Sequence, residues 1–407
     1  MVKVKQVFKR NEEAQEVSEV ILADESTGEI QISLLGRRLK AAREAVGLTL
    51  TEAAKCLGFP SYQTLSKIEA GEREVKAAEL AKFAKTYFCS INMLLGEKEL
   101  KPAASLLWRK TPQGKERQRI ETMILHFCEQ YSLLETLLNL TEEKEFRLFD
   151  VKISDIRTSG DIDTLADKTR SLLGLGSRPA FTLQKIVEQN YGVKILYLPF
   201  SDGGSAASMV HQEFGAVVVI NANEPLWRQN YDLAHELFHL ITWKVVSQED
   251  LENASFREEI EKKAERFAST LLLPETEIKS ELSKRLKTQK GIRLSDLVDI
   301  AREFGVSTAA LLYRLANLRF IPWEDADELV KGEELRKLDR EFRKRDWEEK
   351  PVSERFYYLA ARCLRKGLIS RGTFAEMVGI DRSDIDALME RFGLMETEGK
   401  PVGIIAP

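Results

Sequence analysis

Four cysteines in 407 residues, Cys56, Cys89, Cys128 and Cys363, are too few and too scattered for a disulfide framework or a CxxC metal pair. They read as reduced thiols in core or incidental positions. No run of about 18 apolar residues occurs, which argues against a membrane-spanning helix. The amino terminus, MVKVKQVFKRNEEAQ, lacks the apolar stretch of a secretory signal. The expectation is a cytoplasmic protein with no membrane partner. Neither sign of charge dominates: 61 Lys and Arg stand against 65 Asp and Glu, for a net charge of −4. Any nucleic-acid contact must therefore come from a local basic surface. What remains, 43% hydrophobic and 31% charged residues with 23 Gly and 11 Pro, is ordinary globular composition and excludes wholesale disorder. The length implies two to four domains.

Patterning divides the chain into five parts. Residues 1–33 form an extension, in which two β-rich runs around Ser26-Thr27-Gly28 predict a short hairpin. Residues 34–97 show short helical segments broken at Gly47, Gly58, Gly71 and Gly96, predicting a compact domain of four or five helices. Residues 98–160 hold a linker, KPAASLLWRKTPQG, and then Ile120, Ile124, Phe127, Tyr131, Leu134 and Leu138 at steps of three and four, predicting one long amphipathic helix. That helix serves either as an interdomain strut or as a subunit interface. Residues 161–320 mix helices with the β-rich runs VKILYL and GAVVVIN, predicting an α+β domain. Residues 321–407 are helical and charged with alternating sign, a solvated surface. Their last stretch, around Ser370 to Phe392, has a helix-turn-helix rhythm that suits a gating or dimerisation role better than a second DNA element.

Within 34–97, LTLTEAAKCLGFPSYQTLSKIEAG reads as an Ala-rich helix, a Gly-containing turn and a second helix that opens on hydroxyl and amide side chains. Ala53 and Ala54 allow a close crossing, and Leu57, Leu65 and Ile68 supply the shared core. Tyr62, Gln63, Thr64, Ser66 and Lys67 are left facing outward. Gln and Lys address base edges, and Ser and Thr bind phosphates. Ten basic against seven acidic residues give this segment a net charge of +3, the sign DNA binding needs. GRRLKAAREAVGLTLTEAAKCLG and LSKIEAGERE resemble the lambda repressor/Cro-like (XRE-type) family. That resemblance implies a structural ion pair between Arg43 and Glu69. Two departures are Leu50, where the family usually has a DNA-contacting Gln, and a turn one residue longer than common.

Histidine is also scarce. Two of the four form His235-Glu236-Leu237-Phe238-His239, after the helical run RQNYDLA. Positions i and i+4 share a helix face, so both imidazoles can reach one cation while Glu236 projects beside them as a proton acceptor for water. Two neutral imidazoles suit Zn²⁺. An open catalytic site needs a third protein ligand. The metzincin continuation is absent, because Thr242 and Val245 hold the places of its Gly and third His. In the downstream helix REEIEKKAERFASTLLLP, Glu261 flanks the apolar stripe of Ile260, Ala264, Phe267, Ala268 and Leu271. Glu259 flanks the other edge equally well, and Glu265 points further toward solvent, so helical geometry leaves a choice. Of the other histidines, His126 reads as a helix residue. His211 lies in a turn leading into a β-run that suits strand addition by an extended substrate.

YDLAHELFH followed by EKKAERFASTLLLP resembles the ImmA/IrrE family of zinc metallopeptidases over roughly 161–320. That resemblance puts the third ligand on Glu261 and implies a mainly α multidomain protein: a five-helix N-terminal helix-turn-helix domain, an α+β zincin-like metallopeptidase domain and a helical C-terminal domain. Departures from the family are Phe238 in place of Gly, expected to narrow the cleft, and Leu273 in place of Met. The expected function is a DNA-binding regulator whose zinc endopeptidase domain cleaves a repressor-like partner or itself in a stress, prophage or toxin-antitoxin setting. Its expected partners are a double-stranded DNA operator, bound as a homodimer, and a repressor-like substrate or toxin. The alternative is a non-catalytic repressor or antitoxin-like regulator whose zinc domain senses or binds a partner.

Overall fold

The computed structural model describes residues 28–96, 107–108, 114–140, 148, 151–199, 205–242, 246, 253–288, 291–342, 353–391 and 393. These fall into two units. One comprises residues 28–96 and 114–126, and the other comprises 107–108 and everything described from 127 onward. No described helix is long and apolar enough to cross a membrane.

The first unit contains α1 (Gly28–Ala45), α2 (Leu50–Leu57), α3 (Tyr62–Glu69), α4 (Ala77–Tyr87) and α5 (Ile91–Leu95). Helix α2 opens on a capping box, with Thr49 accepting from the Glu52 amide and Glu52 accepting from the Thr49 amide. It ends on Gly58 at φ 74°, a left-handed cap where only glycine is free of strain. Leu39, Ala53, Ala54, Leu57, Leu65, Ile68 and Phe83 bury together as its core. Gly36 lets α1 lie against the end of α3, since a Cβ there would sit 2.6 Å from the Glu69 carbonyl oxygen. The hairpin expected around Ser26-Thr27-Gly28 is not formed in its second run. Residues 29–33 are already part of α1, because their brief alternation continues directly into the helical period of the following residues. The first run lies outside the described residues.

The second unit is built on a four-stranded sheet of β1 (Leu107–Trp108), β2 (Lys194–Leu198), β3 (Ala206–His211) and β4 (Gly215–Asn221), in the order β1-β3-β4-β2. β3 pairs antiparallel with both β1 and β4, and β2 runs parallel to β4. The segment 98–160 is therefore more than linker and helix, because two of its residues enter the sheet. The long helix α6 (Gly114–Leu137) contributes its first half to the first unit and its second half to this one.

Helices α7 (Ser159–Leu173), α8 (Leu183–Tyr191), α9 (Leu226–Thr242) and α10 (Ala254–Leu272) cover the sheet and each other, burying a continuous core from Val151 to Leu335. Five further helices follow: α11 (Glu275–Thr288), α12 (Leu294–Glu303), α13 (Thr308–Asn317), α14 (Trp323–Lys331) and α15 (Glu333–Phe342). The carboxy-terminal helices α16 (Glu354–Arg365), α17 (Arg371–Val378) and α18 (Ile385–Arg391) share a separate core with Tyr131 and Leu134 of α6. A buried ion network ties them to the sheet, where Glu135 accepts from Arg355 at 2.7 Å and pairs with Lys194 at 2.9 Å.

Candidate metal centre

Helix α9 is buried along the whole of its second half, from Asp232 to Thr242. A wholly buried helix is ordinarily apolar throughout, so the polar residues within it each need a partner or a task. Its start is fixed by Gln229, whose amide donates to the carbonyls of Asn221 (3.1 Å) and Glu224 (2.7 Å) and so ties the helix to the end of β4. Asn230 donates to the Gly305 carbonyl at 2.9 Å. Helix α10 is locked to α7 by Arg266, which grips Asp163 with two nitrogens at 3.1 and 2.6 Å. The Thr270 hydroxyl donates to the same carboxylate at 2.7 Å.

These two helices bring three side chains to one point. His235 Nε2 lies 3.1 Å from Glu261 Oε2, His239 Nε2 lies 3.2 Å from His235 Nε2, and His239 Nε2 lies 3.3 Å from Glu261 Oε1. Among the described residues this is the one group of three or more His, Cys, Asp or Glu side chains spaced to hold a metal ion. A tetrahedral ion bound at about 2.1 Å needs ligand atoms about 3.4 Å apart along each edge, so the donor set fits a metal in spacing as well as in chemistry. Burial alone raises the Glu261 carboxyl, but the two imidazoles beside it outweigh burial and hold it well below the usual carboxylate range. The other candidates point elsewhere: Glu259 pairs with Lys263, Glu258 pairs with Lys262, and the Glu265 side chain is exposed.

Glu236 is fully buried beside this group. Its Oε2 accepts a 2.6 Å hydrogen bond from Ser208 on β3, and its Oε1 has no hydrogen-bond partner among the described residues. Burial pushes its carboxyl up to about 7, with Glu261 and Asp232 adding to the rise while His239 and Ser208 oppose it. Ser208 carries no signal of its own in the sequence, because a run of small residues such as AAS has little β propensity. The signal that marks it is Gly215 at φ 75°, which closes a hairpin between β3 and β4.

Two expectations are corrected. Phe238 does not enter a cleft: it is fully buried in the core, with its ring 5.5 Å from that of Phe267. At about 100° per residue Phe238 lies about 80° round the helix from the midline of His235 and His239, on the side opposite Glu236, which turns its ring into the core. GAVVVIN cannot receive an added strand either, because as β4 it is already paired on both sides. His211 stacks on Phe214 at 4.6 Å and accepts from the Glu213 amide, which gives it a part in the turn. Leu273 is buried in the core.

In the first unit, Tyr62, Gln63, Ser66 and Lys67 are exposed on α3 and Thr64 is half-buried. Leu65, Ile68 and Glu69 face inward. Arg43 grips Glu69 with two nitrogens at 2.7 and 2.9 Å, both side chains buried, so this pair fastens α1 to α3.

Residues 34–92 match the helix-turn-helix domain family, and residues 188–316 match the peptidase M78 family, described as the IrrE N-terminal-like domain. Among solved structures, a Mycobacterium tuberculosis transcriptional regulator is similar at 15% identity and a TM-score of 0.29. The alignment covers 46% of this chain and spans about half, 51%, of that one. A likeness of that size carries no argument about fold or function. No curated protein matches the chain. The chain thus joins a helix-turn-helix domain to an ImmA/IrrE-type domain.

Proposed function

We propose that the chain is a DNA-binding transcriptional regulator whose second unit is a zinc-dependent endopeptidase directed at a specific repressor-like protein or at the chain itself. The observation that carries this reading is the convergence of His235, His239 and Glu261 beside a buried Glu236 oxygen with no partner among the described residues. A zinc ion held by those three side chains would supply Lewis acidity to a peptide carbonyl and to a water molecule. Glu236 Oε1 accepts the proton of the attacking water and returns it to the leaving amine. Ser208, donating to Oε2, keeps that carboxylate from rotating away, and the buried setting excludes bulk water.

On the DNA side, Gln63, Thr64 and Lys67 address base edges and phosphates from the exposed face of α3, with Tyr62 and Ser66 beside them. One such helix reads few base pairs. A homodimer on a roughly palindromic operator with half-sites about one helical turn apart supplies the affinity.

The test incubates repressor-like proteins encoded beside this chain with wild type and Glu236→Gln, with zinc added and with chelator. The expected result is cleavage by zinc-loaded wild type alone. Cleavage that persists in Glu236→Gln, or none by the loaded wild type, contradicts the reading.

A further inference from the structure

β2 is an outer strand of the sheet, paired among the described strands with β4 alone. The Ala222 amide donates to the Leu198 carbonyl at 2.9 Å, so Leu198 and, by alternation, Leu196 turn their main-chain groups toward β4. Tyr197 turns its N–H and C=O the other way, to the unpaired edge. Neither group has a partner among the described residues. Tyr197 is half-buried, and main-chain groups withdrawn from bulk water are nearly always paired, so this edge calls for an occupant.

A cavity of about 140 Å³ lies against that edge. Residues 196–198 all line it, although successive side chains of a strand point to opposite faces, so the cavity sits off the edge of the sheet and on neither face. Its remaining wall is Phe127 of α6, Ser353, Phe356 and Tyr357 at the start of α16, and Met377 and Val378 at the end of α17. The Phe127 and Phe356 rings lie 4.4 Å apart. Aromatic rings and a thioether make a wall suited to a flat ring, and an apolar cavity of about 150 Å³ takes up one benzene molecule.

The polar atoms of the wall set the rest of the ligand. Ser353 donates its hydroxyl proton to Glu188 at 2.8 Å, and Tyr197 donates its phenol proton to Gln184 at 2.9 Å. With both protons committed, these oxygens can only accept from a ligand. The Tyr197 main chain adds one donor and one acceptor side by side. A carboxamide carries the matching acceptor and donors, whereas a carboxylate carries acceptors alone and meets the buried carboxyl of Glu188 behind Ser353.

We propose that this cavity binds a small uncharged molecule made of one aromatic ring and a carboxamide, with the amide paired to the main chain of Tyr197 and the ring held among Phe127, Phe356 and Tyr357. Such a site, mostly apolar with a few convergent polar groups, is the ordinary form of a small-molecule pocket. It is separate from the metal centre. β4 stands between β2 and the strand that carries Ser208, and none of His235, Glu236, His239 and Glu261 lines the cavity. The inference therefore does not depend on the peptidase reading. Phe127 is the first residue of α6 that belongs to the second unit, so an occupant touches the helix that both units share, as suits an effector.

The test titrates the full chain with 4-fluorobenzamide, 4-fluorobenzoate and 4-fluorotoluene, followed by fluorine NMR. The expected dissociation constant for the amide is about 1 mM or below, as ten heavy atoms at the efficiency of ordinary small ligands allow. The acid and the hydrocarbon are expected to bind at least tenfold more weakly. Equal affinity for all three, or no amide binding at about 10 mM, overturns the proposal. Val378→Trp places an indole in the cavity and is expected to weaken amide binding at least tenfold, and unchanged binding to that folded variant overturns the proposal. Hydrogen exchange on wild type locates the ligand without any variant. Saturating 4-fluorobenzamide is expected to slow exchange of the Tyr197 amide at least fivefold, and an unchanged rate there overturns the proposal.

Discussion

Replacing Phe238 by Ala separates a core role from a cleft role for the residue inside the His235–His239 motif. The ring is fully buried, packs on Phe267 at 5.5 Å and stands T-shaped to His239 at 5.8 Å. Truncating a buried phenylalanine costs about 3–5 kcal/mol through lost transfer energy and the cavity left behind. In a unit of this size about 1 kcal/mol moves the midpoint by roughly 2–4 °C, so thermal unfolding of the second unit is expected about 10 °C lower. Phe238→Leu keeps most of the volume and is expected to lose about 1 kcal/mol. The assay is calorimetry of the metal-loaded full chain, paired with partner cleavage per folded molecule. Phe238→Leu is expected to cleave within about twofold of wild type, because leucine still fills the core space beside His239. A Phe238→Ala protein of unchanged stability but altered cleavage would refute the reasoning and return the ring to the cleft.

Ser208→Ala is expected to keep its metal while lowering the cleavage rate about 10–100-fold, since the carboxylate loses the Ser208 bond that orients it. Metal content and single-turnover rates, measured together, check this. Glu69→Ala leaves Arg43 buried without its bidentate partner and is expected to destabilise the first unit by about 3–5 kcal/mol. Faster hydrogen exchange in α3 reports it. Burial pushes the Glu188 carboxyl up to about 7, although Ser353 and Gln184 donate to it. Below its unfolded pKa of 4.5 both states are protonated. Between 4.5 and about 7 the native state holds the extra proton, so stability falls as pH rises through that window. Denaturant titrations are expected to show wild type losing up to about 3 kcal/mol relative to Glu188→Gln between pH 4 and pH 8.

Much of the candidate site was legible because its chemistry follows a helical period. His235, Glu236 and His239 share one turn and a bit of α9, and a spacing of four residues puts both imidazoles on one face whatever the rest of the chain does. Glu261 was different. Glu259 and Glu261 flank the same stripe of α10, and only the packing of α10 against α9 sends one toward the histidines and leaves the other to pair with Lys263. Ser208 and β1 were illegible for a related reason. A single hydroxyl in a run of small residues and a two-residue strand carry no periodicity of their own, and each takes its meaning from a partner distant in sequence. The exposed face of α3 was readable from Leu65 and Ile68, whose burial leaves Gln63, Ser66 and Lys67 outward.

The most direct measurement is the metal content of four purified full-length proteins: wild type, His235→Ala, Glu261→Ala and Glu236→Gln. Three convergent ligands and a separate proton acceptor predict about one zinc per chain in wild type and Glu236→Gln, and its loss from the other two. Full retention in Glu261→Ala, or loss from Glu236→Gln, would contradict the assignment of ligands and base on which the account stands.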